Sequence, residues 1–195
     1  MFKTYSIKNG LWYAEIASDI GANVSRLQYD GREILVPLKS LEQLKVNPYI
    51  QGAPLLLPAN RTAEGRFSFE GRDYSLVVNE SFNGANLHGL LHKCKFEVCR
   101  ASQSNICLKY ENKGEIYPFP FEFYVTYSVS ENGFLSSYVI KNTGQGKMPI
   151  TFALHTTFVE PKTFTVPIDM CQQKDEKHIP TGRYVELNEQ ERLYP

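Results

Sequence analysis

Chemistry-bearing residues in this 195-residue chain gather at the ends of short apolar runs. Arg61 follows Pro54-Leu55-Leu56-Leu57-Pro58-Ala59-Asn60. A guanidinium offered after an apolar strand and a proline-bounded turn presents a planar fork of donors suited to oxygen atoms. His88 stands in Asn86-Leu87-His88-Gly89, where the glycine would let backbone and imidazole come close to a ligand. His155 closes Phe152-Ala153-Leu154 and is followed by Thr156-Thr157-Phe158. An imidazole titrates near neutrality, so it can both give and retake a proton. Singly, each has a plainer reading: a surface arginine in a loop, a histidine satisfied at the rim of a core. Tyr117-Pro118-Phe119-Pro120-Phe121 is a rigid aromatic edge that reads first as packing and second as a ligand wall.

His88 and His92 lie four apart, the spacing that brings two ligands to one metal on a helix. Here Gly89-Leu90-Leu91 lies among strands, where such residues stand roughly 13 Å apart. No third ligand has a recognisable spacing, so neither a metal nor another cofactor is expected.

The elements around these residues are strands. Residues 11–17, 24–29, 33–36, 67–69, 74–78, 95–101, 105–111, 121–130, 134–141, 149–154, 163–167 and 184–187 all fit. Glu131-Asn132-Gly133 is a hairpin signal between two of them. Only Leu38 to Val46 reads as helical, and Gln172 to Arg183, polar and punctuated by proline and glycine, reads as a loop. This pattern predicts an all-β sandwich or barrel, and 195 residues fit one large domain or a lopsided pair of small ones.

Hydrophobic residues make up 42% and charged residues 22%, ordinary for a globular chain that buries roughly 70% of its unfolded surface. The net charge is zero, so no single-signed field exists to attract nucleic acid. The run Ala53 to Pro58 is far short of the ~20 residues that span a bilayer. The first residues lack an apolar core ahead of a small-residue cleavage site, which reads as cytoplasmic. Cys94, Cys99, Cys107 and Cys171 form no CxxC pair and read as reduced, partly buried thiols.

In order along the chain, Gly21-Ala22 with Val24, Asp30-Gly31, Pro58-Ala59-Asn60-Arg61, Gly65 to Gly71, Asn79-Glu80, Leu87-His88-Gly89, Tyr117-Pro118-Phe119, Asn142, Leu154-His155-Thr156-Thr157-Phe158 and Pro180-Thr181-Gly182 resemble the aldose 1-epimerase (galactose mutarotase) family. The resemblance implies a large twisted antiparallel β-sandwich, the galactose mutarotase-like supersandwich, of which 1–195 would be a single domain, the N-terminal larger part, and whose cleft takes a free aldose. It implies exchange of α and β anomers by acid/base ring opening. His155 would be the general acid, His88 would share the load at the ring oxygen, and Arg61 with Asn60 would position ring hydroxyls. The high aromatic share, 13%, serves strand packing and supplies flat platforms for sugar rings.

Two departures accompany the resemblance. The family's usual His-Pro-Tyr-Phe reads His155-Thr156-Thr157-Phe158, the mark of a divergent subgroup. The family's catalytic glutamate and a substrate-binding aspartate have no counterpart here, which implies a sandwich incomplete at its C-terminal side. Such an unclosed sheet invites self-association or completion by a C-terminal segment. The alternative function is a non-catalytic carbohydrate-binding or regulatory homologue. A hexose-6-phosphate epimerase would need a basic phosphate pocket, and no second cation clusters with Arg61.

Overall fold

Residues 121–130 alternate apolar and polar along their length, and that period of two gives a strand one face for a core. The structure is a computed structural model that describes residues 2–46, 49–160, 164–165, 168–189 and 193–194. In chain order its strands begin with β1 (Thr4–Asn9), β2 (Trp12–Ala17), β3 (Asn23–Tyr29), β4 (Arg32–Glu33), β5 (Leu55–Leu56) and β6 (Arg61–Ala63). They continue with β7 (Arg66–Phe69), β8 (Arg72–Ser75), β9 (Ala85–Leu87), β10 (Glu97–Ala101), β11 (Asn105–Asn112) and β12 (Phe121–Ser130). The remainder are β13 (Gly133–Asn142), β14 (Ala153–Leu154), β15 (Phe164–Thr165), β16 (Met170–Lys174), β17 (Pro180–Glu186) and β18 (Leu193–Tyr194). The chain divides into two compact units, Met1–Ala59 with His88–Val159, and Asn60–Leu87 with Glu160–Pro195.

The first unit is an antiparallel sandwich. One sheet runs β1-β2-β3-β4 and the other β10-β11-β12-β13. β1 and β2 of the first pack on β12 of the second and β1 also on β11, and Ile7, Ala14, Ile16, Ile106, Leu108, Phe123 and Val125 on these strands are all buried. The Tyr127 hydroxyl donates to the Ala22 carbonyl at 2.9 Å and ties the layers at one end. The alternation of β12 drives this arrangement: Phe121, Phe123, Val125, Tyr127 and Val129 are buried, and Glu122 on the other face is bonded by Lys109 and Lys141. Among the described residues β13 has no strand neighbour on its outer edge, and its Leu135 and Val139 are exposed.

The second unit is built from antiparallel pairs, β6 with β9, β7 with β8, β15 with β18 and β16 with β17. Here the sequence reading needs correction, because the loop expected over Gln172 to Arg183 is mostly hairpin. The Asp175 carboxylate accepts backbone N–H bonds from Lys177 (2.9 Å) and Ile179 (2.8 Å), and His178 takes a left-handed φ of 60°. These close a turn that lets polar residues pair on both sides. The helix expected over Leu38 to Val46 shrinks to α1 (Gln43–Val46), and the strand expected over 149–154 to β14. β1, absent from the reading, is the edge partner of β2. Of the strand expected over 163–167, residues 163, 166 and 167 lie outside the described residues. Cys94 and Cys107 are half-buried thiols, Cys99 and Cys171 exposed ones. Among the described residues no helix is long and apolar enough to cross a membrane.

Phe123 packs against the rings of Phe96, Tyr138 and Phe152 with centroids 5.5–6.3 Å away. Phe123→Ala should lower stability in urea unfolding by about 3–5 kcal/mol. Leu135→Ala, on the exposed face of β13, should stay within about 0.5 kcal/mol.

Candidate active site

Pro54 to Pro58 is buried along its whole length, so its backbone groups need partners on both sides. On one side Leu55 and Leu56 pair with Leu154 and Ala153. That ladder continues as Ala59 N–H donates to Thr151 O (2.9 Å), His155 N–H to Pro54 O (3.3 Å) and Thr157 N–H to Gly52 O (3.0 Å). On the other side Leu57 forms a parallel bridge with Gly89. His155 and His88 therefore flank one buried segment. Buried Asn23 anchors its approach, donating to Gln51 O (3.0 Å) and accepting from Ala53 N–H (2.9 Å).

Strand alternation aims His155. Leu154, Thr156 and Phe158 line an apolar cleft with Val24, Leu27, Leu35, Tyr127, Phe134 and Tyr138, so His155 takes the opposite face. Gly89 sets the approach of His88. It holds a φ of 60°, and a Cβ there would run into the Leu57 carbonyl and lie 2.8 Å from Pro58 Cδ. His88 has a φ of 61°, uncommon for a residue with a Cβ. Backbone strain of this kind gathers at functional sites. The rings of His88 and His155 meet edge to face, centroids 5.7 Å apart, with His88 half-buried and His155 exposed.

Tyr49, absent from the sequence reading, and His92, weighed there only as a metal ligand, complete this cluster. Tyr49 places its ring 5.2 Å from that of His88 and 4.8 Å from that of His92. His92 is buried, and neither ring nitrogen has a hydrogen-bond partner among the described residues. Burial pushes its pKa down to about 3; the charges of Lys93 and His88 act the same way, and the His88 backbone opposes them weakly. At neutral pH this ring is uncharged. The argument that strand geometry separates His88 from His92 is corrected: residues 91–93 form a 3-10 turn, and both imidazoles reach the same phenol ring.

Asn60 and Arg61 belong to the second unit, where Arg61 pairs with Leu87 across β6 and β9. Asn60 accepts the Arg61 backbone N–H at 2.9 Å. The guanidinium donates from Nε and Nη2 to the two oxygens of Glu80, each at 2.7 Å, with both side chains largely buried. Arg61 holds the Glu80 carboxyl below its usual range, against the opposing effect of burial, and Glu80 in turn raises Arg61. Most of the fork is thus engaged within the protein. Asn79 brackets Leu87, accepting its N–H (2.6 Å) and donating to its carbonyl (2.9 Å), which explains why Asn79-Glu80 precedes Leu87-His88 at this distance. Tyr117 is packing: it is buried, its hydroxyl donates to Pro149 O at 2.7 Å, and Asn112 donates to the carbonyls of Tyr117 and Phe119.

An antiparallel sandwich that brings two turn-borne imidazoles together defines a class, the galactose mutarotase-like fold. A galactose mutarotase-like protein from Clostridium acetobutylicum superposes with a TM-score of 0.81 at 24% identity, covering 97% of this chain and 63% of its own. The GalM/aldose epimerase homologue from C. elegans gives 0.81 at 16%, covering 97% and 62%. The family profile described as aldose 1-epimerase matches residues 3–194, and the chain belongs to the aldose 1-epimerase family. YihR of Escherichia coli K12 is 27% identical over 188 residues, 92% of this chain and 59% of that protein. The chain thus spans less than two thirds of the length of these relatives.

Gly89→Ala should destabilise the fold by about 1–3 kcal/mol or more and displace the His88 ring. Gly10→Ala, with a φ of 55° but open space around it, should lose only about 1 kcal/mol in the same urea titration. Because Glu80 is held below its ordinary value, the stability it contributes is present above that value and lost as pH falls below it. Acid unfolding of Glu80→Gln should accordingly be less steep in that range than that of the unaltered protein.

Proposed function

We propose that this chain carries the acid side of an aldose 1-epimerase-type isomerase that interconverts the α and β anomers of a free hexose. In this reading His155 protonates the ring oxygen as the C1–O bond breaks, and a carboxylate base takes the C1 hydroxyl proton as the carbonyl forms. Rotation of the aldehyde and the reverse transfers give the other anomer. His88 bonds the ring oxygen beside His155, and Arg61, held by Glu80, positions ring hydroxyls with Asn60. Preset orientation of this kind lowers the barrier.

The 5.7 Å approach of the two imidazoles, one of them exposed, is the observation that carries the reading. Glu80, Glu122 and Glu160 are not assigned the base's role. Glu80 is engaged by Arg61, Glu122 is bonded by Lys109 and Lys141, and Glu160 is an exposed residue at the edge of the second unit. The base is taken to come from sequence that the longer relatives carry. The reading treats residues 1–195 as one functional domain working on free sugar in the cytoplasm.

Polarimetry of freshly dissolved α-glucose and α-galactose tests this, on the chain as it stands and continued to the length of its relatives. The continued form should accelerate anomer exchange, and His155→Asn should reduce the acceleration by ~10²–10⁴-fold. Arg61→Ala should act mainly by raising KM. Binding of sugar in calorimetry or through Trp12 fluorescence, without acceleration in either form, selects the carbohydrate-binding alternative. A preference for glucose 6-phosphate over glucose selects the phosphosugar reading. Neither binding nor acceleration refutes all three.

A further inference from the structure

We propose that Tyr49 is a positioning residue for His88, in ring contact with both His88 and His92, so that these contacts fix the ring that would meet the sugar.

The backbone settles only part of His88's placement. Its left-handed φ and the packing of Gly89 on Leu57 fix the Cα and the direction of the Cβ, leaving the side-chain torsions to be set by neighbours. His155 is one neighbour, but it is exposed and reaches the ring only along an edge. Tyr49 is the other. It arrives from a distant part of the chain, and its half-buried ring meets that of His88 at 5.2 Å and that of His92 at 4.8 Å. Aromatic pairs at such separations attract beyond their area burial, enough to favour one rotamer over another.

His92 looks out of place if it serves packing alone. Burying an imidazole whose nitrogens find no hydrogen-bond partner among the described residues is unfavourable, and a leucine would carry no such penalty. Its backbone is pinned from outside: Gly21 has a φ of 63°, a Cβ there would stand 2.6 Å from the His92 Cα, and the Gly21 N–H donates to Cys94 O at 2.7 Å. A flat ring at 92 seats Tyr49 where a branched aliphatic side chain would not. Being neutral, it also adds no positive charge near His88. His92 sits in the 3-10 turn Leu91–Lys93, and from there its ring reaches the same phenol as that of His88.

This inference rests on the sugar-isomerase reading for its kinetic consequence but not for its geometry, and the two are tested separately. Imidazole NMR on the histidine-labelled chain, without sugar, reads the placement of His88 directly. Tyr49→Ala should shift and broaden the His88 ring signals, Tyr49→Phe should leave them nearly unchanged, and His92→Ala should reproduce the Tyr49→Ala pattern while His92→Phe largely restores it. Tyr49→Leu, which keeps bulk without a ring, serves if the alanine variant does not fold. In the form that accelerates anomer exchange, Tyr49→Ala should lower kcat by about 10–100-fold with KM little changed, because misplacement of a reacting group acts on the transition state. Unchanged His88 signals in Tyr49→Ala or Tyr49→Leu overturn the proposal whatever the activity. A rise in KM alone also overturns it, since Tyr49 would then touch the sugar rather than hold the histidine. Shifted His88 signals in a protein that never accelerates exchange leave the positioning role standing and sink the isomerase reading instead.

Discussion

A fully buried stretch of backbone cannot be left half-bonded, and in this protein that constraint falls on Pro54 to Pro58. One edge is satisfied by the strand that ends in His155 and the other by the turn that begins with His88. The pairing of two imidazoles is therefore a by-product of hydrogen-bond satisfaction in an apolar interior. Shifting that strand by a single residue would turn His155 into the apolar cleft and Leu154 out of it.

The electrostatics differ between the two groups of candidate residues. Around the imidazoles the neighbours are rings, and the one buried histidine is kept neutral by the loss of water. Around Arg61 a carboxylate takes two of the three guanidinium nitrogens in a parallel pair of bonds. Such a pair holds the planar group in one orientation, which a lysine could not reproduce. In the isomerase proposed above, the first group would move the proton and the second would hold a fixed direction.

Much of this was legible beforehand. The strands of the first unit announce themselves by alternation, β12 most clearly, and the Asn132-Gly133 turn by its residue types. His155 was visible because it ends an apolar run with a polar ring, and His88 because it stands beside a glycine in Leu87-His88-Gly89. Tyr49 was not, since nothing in its local sequence separates it from eleven other tyrosines; its meaning comes from two partners that only the fold supplies. Glu80 was within sight in Asn79-Glu80, but a carboxylate in a turn-rich stretch carries no mark of which cation it will meet. The hairpin at 170–186 was hidden because its strands are polar on both faces, so the signal of burial that reveals other strands is missing.

The ladder on which the imidazoles hang joins residues that are remote along the chain: Leu55 with Leu154, Leu57 with Gly89. Closing loops of that size is entropically slow, and such pairings form late relative to hairpins like β12–β13. On a ribosome, then, the emerging polypeptide carries Pro54 to Pro58 as an apolar, incompletely paired stretch until the segment around residue 155 has been made. The very element that organises the finished site is, for most of synthesis, the one most in need of shielding by a chaperone.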